Sequence, residues 1–281
     1  MKLTAQDIYC RDLARANDWE RYLVSLFAPA TDRTSLWAIC AFNHEIAKIR
    51  ETVSETMLGE IRLQWWREAI EGIYAGTPQE HQIVLALTDA VEGRNLPCDL
   101  FDALIDARAK DLKDVPFTTV ADYMDYLEQS SAPLHLLALR CLAAEQDAAS
   151  ECATKVGTAY ALVGILRSAP FFFRQNRIPF PKDLLDDHRI TERALFGLKP
   201  FQELTDIVSV LAAKAETLLN EAQKISISRS AHPAVLAAAQ ASWHLARLKQ
   251  AGYDPYDARV STSIPFHELR LAMKMFLGKW S

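Results

Sequence analysis

Three groups of side chains in this sequence have types and spacings that could do chemistry. The first is acidic. Glu51 and Glu55 stand four apart, the spacing that puts two carboxylates on one helix face, and Asp186-Asp187-His188 sits in a segment rich in proline and charge. Carboxylates so grouped can hold Mg²⁺, although acidic pairs on helix faces and in loops are ordinarily solvated. The second group is basic: Arg33, Lys48, Arg50, Arg67, Arg167, Arg174 and Arg177. The planar fork of arginine suits a phosphate, but Glu45, Glu51, Glu55 and Glu68 offer the same cations ordinary ion pairs. The third is Arg167-Ser168-Ala169-Pro170-Phe171-Phe172-Phe173, three adjacent rings where a site for a charged substrate would carry carboxylates or donors. Seven histidines show no H-x-x-x-H or comparable spacing, so no zinc-type site is expected. No complete catalytic set emerges, and no metal site.

Composition narrows the class. The formal charge is −5, which offers no basic field to nucleic acid. Only nine glycines occur and no glycine-rich fingerprint, which argues against a dinucleotide-binding α/β domain. The five cysteines include no C-x-x-C pair, as expected of buried thiols in a reducing compartment. The first residues are charged and lack a signal-peptide core. No uninterrupted apolar run approaches the roughly 18 residues that span a bilayer. These features fit a cytoplasmic protein, soluble or peripheral at the inner membrane.

Helices must position whatever site exists. Leu36, Ile39, Phe42, Ile46 and Ile49 recur at three and four residues, one face of a helix. Leu58, Ile61, Trp65, Ala69 and Ile73 repeat the pattern, ending before Gly76 and Pro78. Further helices are predicted at 79–92, 97–112, 119–144, 147–169, 204–225, 232–250 and 265–279, with an irregular segment at roughly 173–203. Pro170 should end or kink a helix near 169–173. Thr119 with Asp122 resembles a capping box. The adjacent indoles of Trp65 and Trp66 point about 100° apart, one to the core and the other to a cavity or an arginine. The last run, FHELRLAMKMFLGKW, is amphipathic: Leu269, Leu271, Met275 and Phe276 are apolar, and Arg270, Lys274 and Lys279 are basic. It can pack on the bundle, or touch an anionic membrane or a partner helix. Strand signals are nearly absent.

Several segments together resemble the squalene/phytoene synthase family, the head-to-head prenyl transferases. In YLVSLFAPATDRTSLWAICAFNHEIAKIRE, Arg33, Ala41 and Phe42 match a family string. Asp111-Leu112 and the helix around Tyr126 fit its middle region. Ala159, Leu162, Ile165, Leu166, Arg167, Arg177 and Pro181 hold their places in a later one. The resemblance covers most of the chain. It implies an all-α, single-domain isoprenoid-synthase-type helical bundle over 1–281, built around a central cavity.

The resemblance also implies two facing aspartate-rich motifs that hold Mg²⁺ against a departing diphosphate. At the first, D-D-x-x-D, this chain has Ala47-Lys48-Ile49-Arg50-Glu51. At the second, D-x-x-E-D, it has Ser168-Ala169-Pro170-Phe171-Phe172. The expected Gln and Asn upstream are Ala161 and Gly164. One glutamate and one hydroxyl cannot replace that ligand set around strongly hydrated Mg²⁺. A branch of the family resembling the mitochondrial assembly factor for respiratory complex I likewise lacks the aspartates, and IRETVSETMLGEIRLQWWREAI looks like that branch. The absence of a transit peptide then suggests a bacterial version or a processed chain.

The implied role is non-catalytic: an assembly or interaction factor, with respiratory-complex subunits or an isoprenoid or lipid as partners and no cofactor. The alternative is an active prenyl transferase using Mg²⁺. Arg33, Arg50, Arg67, Arg167 and Arg177 are the candidate anion-binding residues, and Phe171, Phe172 and Phe173 should fill or close the old cavity.

Overall fold

The computed structural model describes residues 2–113, 115–278 and 280. Among them there is no strand, and sixteen α-helices follow one another. They are α1 (Ala5–Asn17), α2 (Trp19–Ser25), α3 (Arg33–Ala47), α4 (Ile49–Thr52), α5 (Thr56–Tyr74), α6 (Gln82–Arg94), α7 (Cys98–Asp111) and α8 (Val120–Cys141). Then come α9 (Asp147–Arg174), α10 (Lys182–Asp187), α11 (Glu192–Leu195), α12 (Gln202–Gln223), α13 (His232–Val235), α14 (Ala237–Gln250), α15 (Ala258–Ser261) and α16 (His267–Phe276).

The bundle forms around α9. This helix is nearly without charge on its buried surface, with Ala149, Ala153, Val156, Gly157, Ala159, Leu162, Val163, Leu166 and Phe173 inside. Small residues let α8 and α12 pack against it, with α13 and α14 beside them. By length and composition α9 could cross a bilayer, but half of its most apolar window is buried in the bundle. It is placed as a core helix.

The periodic positions Leu36, Ile39, Phe42 and Ile46 of α3 are all buried, as is Ile49, which opens the separate α4. The Phe42 ring meets Trp66 and Phe101 edge-on, each with centroids 5.4 Å apart. In α5 the predicted face is wrong at its start. Leu58 and Ile61 are exposed and Trp65 is only half-buried, while Gly59, Leu63, Trp66, Ala69, Ile70 and Ile73 form the inner face. Gly59 explains the register: a β-carbon there would lie 2.5 Å from the Leu112 side chain, so the helix seats this bare position against the end of α7.

Pro170 neither ends the helix nor prevents its last turn. α9 runs on to Arg174, beyond the boundary expected near 169, and α8 likewise continues through Pro133. Proline's ring costs one backbone bond, and the packing around two long core helices outweighs it. The segment expected to be irregular from 173 accordingly begins after Arg174 and contains α10 and α11. The run 232–250 is divided at Leu236 into α13 and α14. Thr119 caps α8 by accepting from the Asp122 N–H at 3.1 Å, and Asp183 accepts the Val120 N–H at 2.9 Å.

The tightest approach of α8 and α9 lies at Gly157. A β-carbon there would stand 2.9 Å from His135 Cδ2 and 3.1 Å from Ala132 Cα. Gly157→Val is expected to destabilise the protein by about 1–3 kcal/mol through overpacking, measured as a lower urea midpoint with unchanged slope.

Candidate functional site

The three phenylalanines diverge at the end of α9 because successive helical residues turn by about 100°. Phe171 points to solvent. Phe173 is buried against Phe180, with ring centroids 5.9 Å apart. Phe172 lines a cleft of about 550 Å³ to which residues 47–51 of the first motif contribute nothing, with the Arg177 guanidinium 5.2 Å above its ring. The chain can turn back over Phe172 because Asn176 takes the left-handed conformation (φ 55) and the Arg177 N–H then donates to the Phe172 carbonyl at 3.0 Å. Asparagine tolerates that conformation well, and it ends the helix as a glycine would.

The opposite wall of the cleft comes from the end of α7, the start of α8 and the strand-like crossing of residues 117–118 with 182–183. There the Lys182 N–H donates to the Phe117 carbonyl at 2.7 Å and the Asp183 N–H to the Thr118 carbonyl at 3.1 Å. The lining is aromatic, with Phe117, Tyr123, Tyr126 and Phe172, and carries charge of both signs, with Lys110, Lys113 and Arg177 beside Asp111, Asp122 and Glu192. Asp111 organises this wall. Its carboxylate accepts from the Tyr126 hydroxyl and, at 3.0 Å, from Arg108 Nη1. Burial and the neighbouring Asp111 both push the Tyr126 hydroxyl well above its ordinary pKa, so it stays a proton donor. The buried Tyr123 hydroxyl has no partner among the described residues.

The remaining predicted residues do not gather here. Of the candidates, only Phe172 and Arg177 line the cleft. Ala47 ends α3 half-buried, and Lys48 just beyond it pairs with Glu45. Glu51 and Ser168 are exposed. Arg33 Nε donates to the Ala28 carbonyl at 3.0 Å, Arg67 pairs with Asp106, and Arg50 is half-buried in α4. Arg167 lies 3.9 Å from Glu20 and donates to the Val260 carbonyl at 3.5 Å. Arg174 is exposed on the last turn of α9. The cations are thus held by separate elements and not assembled around one anion.

Nor are Glu51 and Glu55 on one helix face. Val53 is extended and breaks the chain between α4 and α5, leaving Glu55 as the residue before α5. Asp186 pairs with Lys182, and His188 bonds the Leu184 carbonyl. No group of three or more His, Cys, Asp or Glu able to hold a metal occurs among the described residues. The side chains present therefore do not fit a Mg²⁺–diphosphate clamp. Trp66 is the core indole, and Trp65, half-buried, meets it edge-on at 4.9 Å.

A second polar centre went unnoticed in the sequence. Glu20 on α2 accepts from His244 Nε2 at 2.6 Å and from the Tyr160 hydroxyl at 2.9 Å. Gln240 donates to the Glu20 carbonyl at 3.0 Å and lies 3.1 Å from His267 Nε2. These bonds fasten α2 to α9, α14 and α16. The side chains bonded to Glu20 lie 140 to 224 residues from it, so no local spacing announces them. Next to them the Arg21 guanidinium pairs with Asp18 at 2.6 Å and sits 4.8 Å over the Tyr160 ring.

A sequence profile of the family described as squalene/phytoene synthase matches residues 14–268. The Bos taurus protein named "NADH dehydrogenase (ubiquinone) complex I, assembly factor 6" is 30% identical over 279 residues, covering 98% of this chain and 82% of its own. Among solved structures, a dehydrosqualene synthase in complex with ligand superimposes with a TM-score of 0.85 at 19% identity, over 97% of this chain and 95% of that one. Squalene synthase HpnC from Alicyclobacillus acidocaldarius gives 0.79 at 20% identity, over 89% and 95%. At such identities the structural likeness shows the fold, the all-α isoprenoid-synthase bundle expected from the sequence.

The Glu20 centre sets an acid limit on the bundle. Burial works to raise the Glu20 pKa, but the bonds from His244 and Tyr160 and the charge of Arg167 overcome it and hold the group at about 2. A carboxyl depressed from 4.5 contributes its stability above that unfolded value and loses it as the pH falls toward 2. Urea titrations of wild type should lose about 2–3 kcal/mol of stability between those values that Glu20→Gln, already weaker at neutral pH, does not lose.

Proposed function

The chain belongs to the squalene/phytoene synthase family, and from that premise we propose that it is a non-catalytic member serving as an assembly or interaction factor for respiratory complex I. The observation that carries the reading is the substitution of the acidic motif positions. Ala47, Lys48, Ser168, Phe171 and Phe172 stand where the family's chemistry calls for carboxylates, and Glu51 alone keeps one. Head-to-head condensation begins with loss of diphosphate, and metal ions must neutralise the charge that develops on it. Each 1.36 kcal/mol of lost stabilisation costs about tenfold in rate, and removal of a whole ligand set forfeits several such increments. The name of the bovine relative, matched over nearly the whole of this chain, supports the partner class.

A protein that works by association needs the bundle as a rigid body and not its reaction. Here α9 ends in Phe173, which is buried, Phe172, which lines the cleft, and Phe171, which is exposed. Affinity purification of the tagged protein from its native organism should co-purify complex I subunits, and deletion of the gene should lower the amount of assembled complex I. Assembly at the wild-type level without the gene, together with no captured subunit, would sink the proposal.

The cleft supports a second reading, metal-free binding of an anionic isoprenoid or lipid. Its aromatic interior suits an apolar tail, and Lys110, Lys113 and Arg177 at its edge suit an anionic head. Calorimetric titration with farnesyl diphosphate in EDTA should show binding that Arg177→Ala weakens by about tenfold or more. No heat at about 1 mM ligand would remove this reading.

A further inference from the structure

The last helix, α16, carries two apolar faces, and the bundle uses only one. Inward, Leu271 is buried and Met275 is half-buried. His267 is bonded to Gln240 and edge-on to Trp243 with centroids 5.7 Å apart. Beyond the turn at Gly278 (φ 66) Trp280 is buried again, so the helix is anchored at both ends. The sequence reading named Leu269, Leu271, Met275 and Phe276 together as the apolar residues of an amphipathic run. The structure divides them, Leu271 and Met275 inward, Leu269 and Phe276 outward. Lys279, counted there among the cations, lies outside the described residues.

Outward, Leu269, Met273, Phe276 and Leu277 fall within an arc of about 100°, and Phe266 at the helix start extends the row. These five side chains are between 56% and 84% exposed. A continuous stripe of large apolar groups on a well-anchored helix is a surface for contact and not a packing fault.

We propose that this stripe docks on the surface of an anionic lipid bilayer. Charge decides the occupant. The chain as a whole carries −5 and would be repelled by such a surface, so attachment needs local cations. Arg270 and Lys274 follow one edge of the stripe in sequence position, and the acidic residue of the helix, Glu268, stands on the far flank. Arg270 is held in place 4.2 Å over the Trp243 ring, and Arg229 Nη2 donates to the Met275 carbonyl at 3.4 Å. A single surface helix with cations beside a row of Phe, Leu and Met has the composition that lies in the headgroup boundary, its apolar face about 5–10 Å deep. The inference does not rest on the assembly reading, because lipid alone is the probe.

The test is sedimentation of the full chain with vesicles of phosphatidylcholine alone or with about one-third phosphatidylglycerol, at low salt and at about 0.5 M salt. Binding is expected to the anionic vesicles at low salt, weakened by salt and by omission of phosphatidylglycerol. The double variant Leu269→Ser/Phe276→Ser, altered only at exposed positions, should lose at least about tenfold in partitioning. Phe276→Trp should bind like wild type, with its added emission shifted to the blue. The proposal is overturned if wild type ignores anionic vesicles, or if the double variant binds equally well. A dimer in solution that the double variant dissociates would assign the stripe to a second copy and overturn it too. If the double variant melts early, absence of a blue shift in Phe276→Trp is the overturning result.

Discussion

The packing of α9 through the middle of the bundle is the constraint on which the rest of the structure depends. A helix surrounded by four others must be small or apolar on several sides, and the polar groups it buries must be paired. Gly157 and its alanines meet the first demand. Thr158 meets the second by returning its hydroxyl to the Thr154 carbonyl at 2.9 Å, and Tyr160 by binding Glu20. α9 emerges from this packing at its first turn, where Asp147 and Ala148 are exposed, and again at its last turns. There Pro170 can be accommodated, Phe173 is absorbed by the core, and Phe172 faces the cleft. The order of these elements explains how the fold persists while the end of the helix is free to change its chemistry.

That change has an electrostatic logic. Carboxylates facing one another across a cavity repel unless a metal lies between them, and without it they take up protons or destabilise the bundle. Phe172 brings no charge to the cleft, Phe171 faces solvent, and Lys48 is neutralised by Glu45. In the cleft wall Asp111 is shared by Tyr126 and Arg108. What persists is a cleft with an aromatic interior, without a metal-binding group among the described residues.

Much of the fold was legible because α3 and the cap of α8 obey local rules that a reader of sequence can apply. The all-helical class and the approximate span of each long helix followed from them. What was not legible depends on contacts between distant residues. The register of α5 is set by Gly59 against Leu112, across more than fifty positions. The continuation of α9 past Pro170 is set by neighbours that no propensity includes. Glu51 and Glu55 have helix spacing, but Val53 breaks the helix between them. For the site, Phe172 and Arg177, singled out in the sequence for different reasons, line the same cleft. It also grouped cations that separate elements hold apart, and it missed Glu20, whose partners lie in the second half of the chain.

The central claim is a bundle conserved in shape whose diphosphate chemistry has been dismantled. Pyrophosphate release from farnesyl or geranylgeranyl diphosphate, followed with Mg²⁺ and with EDTA, tests it most directly. The account predicts release no faster than in buffer under either condition. Saturable release that appears only with Mg²⁺ would contradict it.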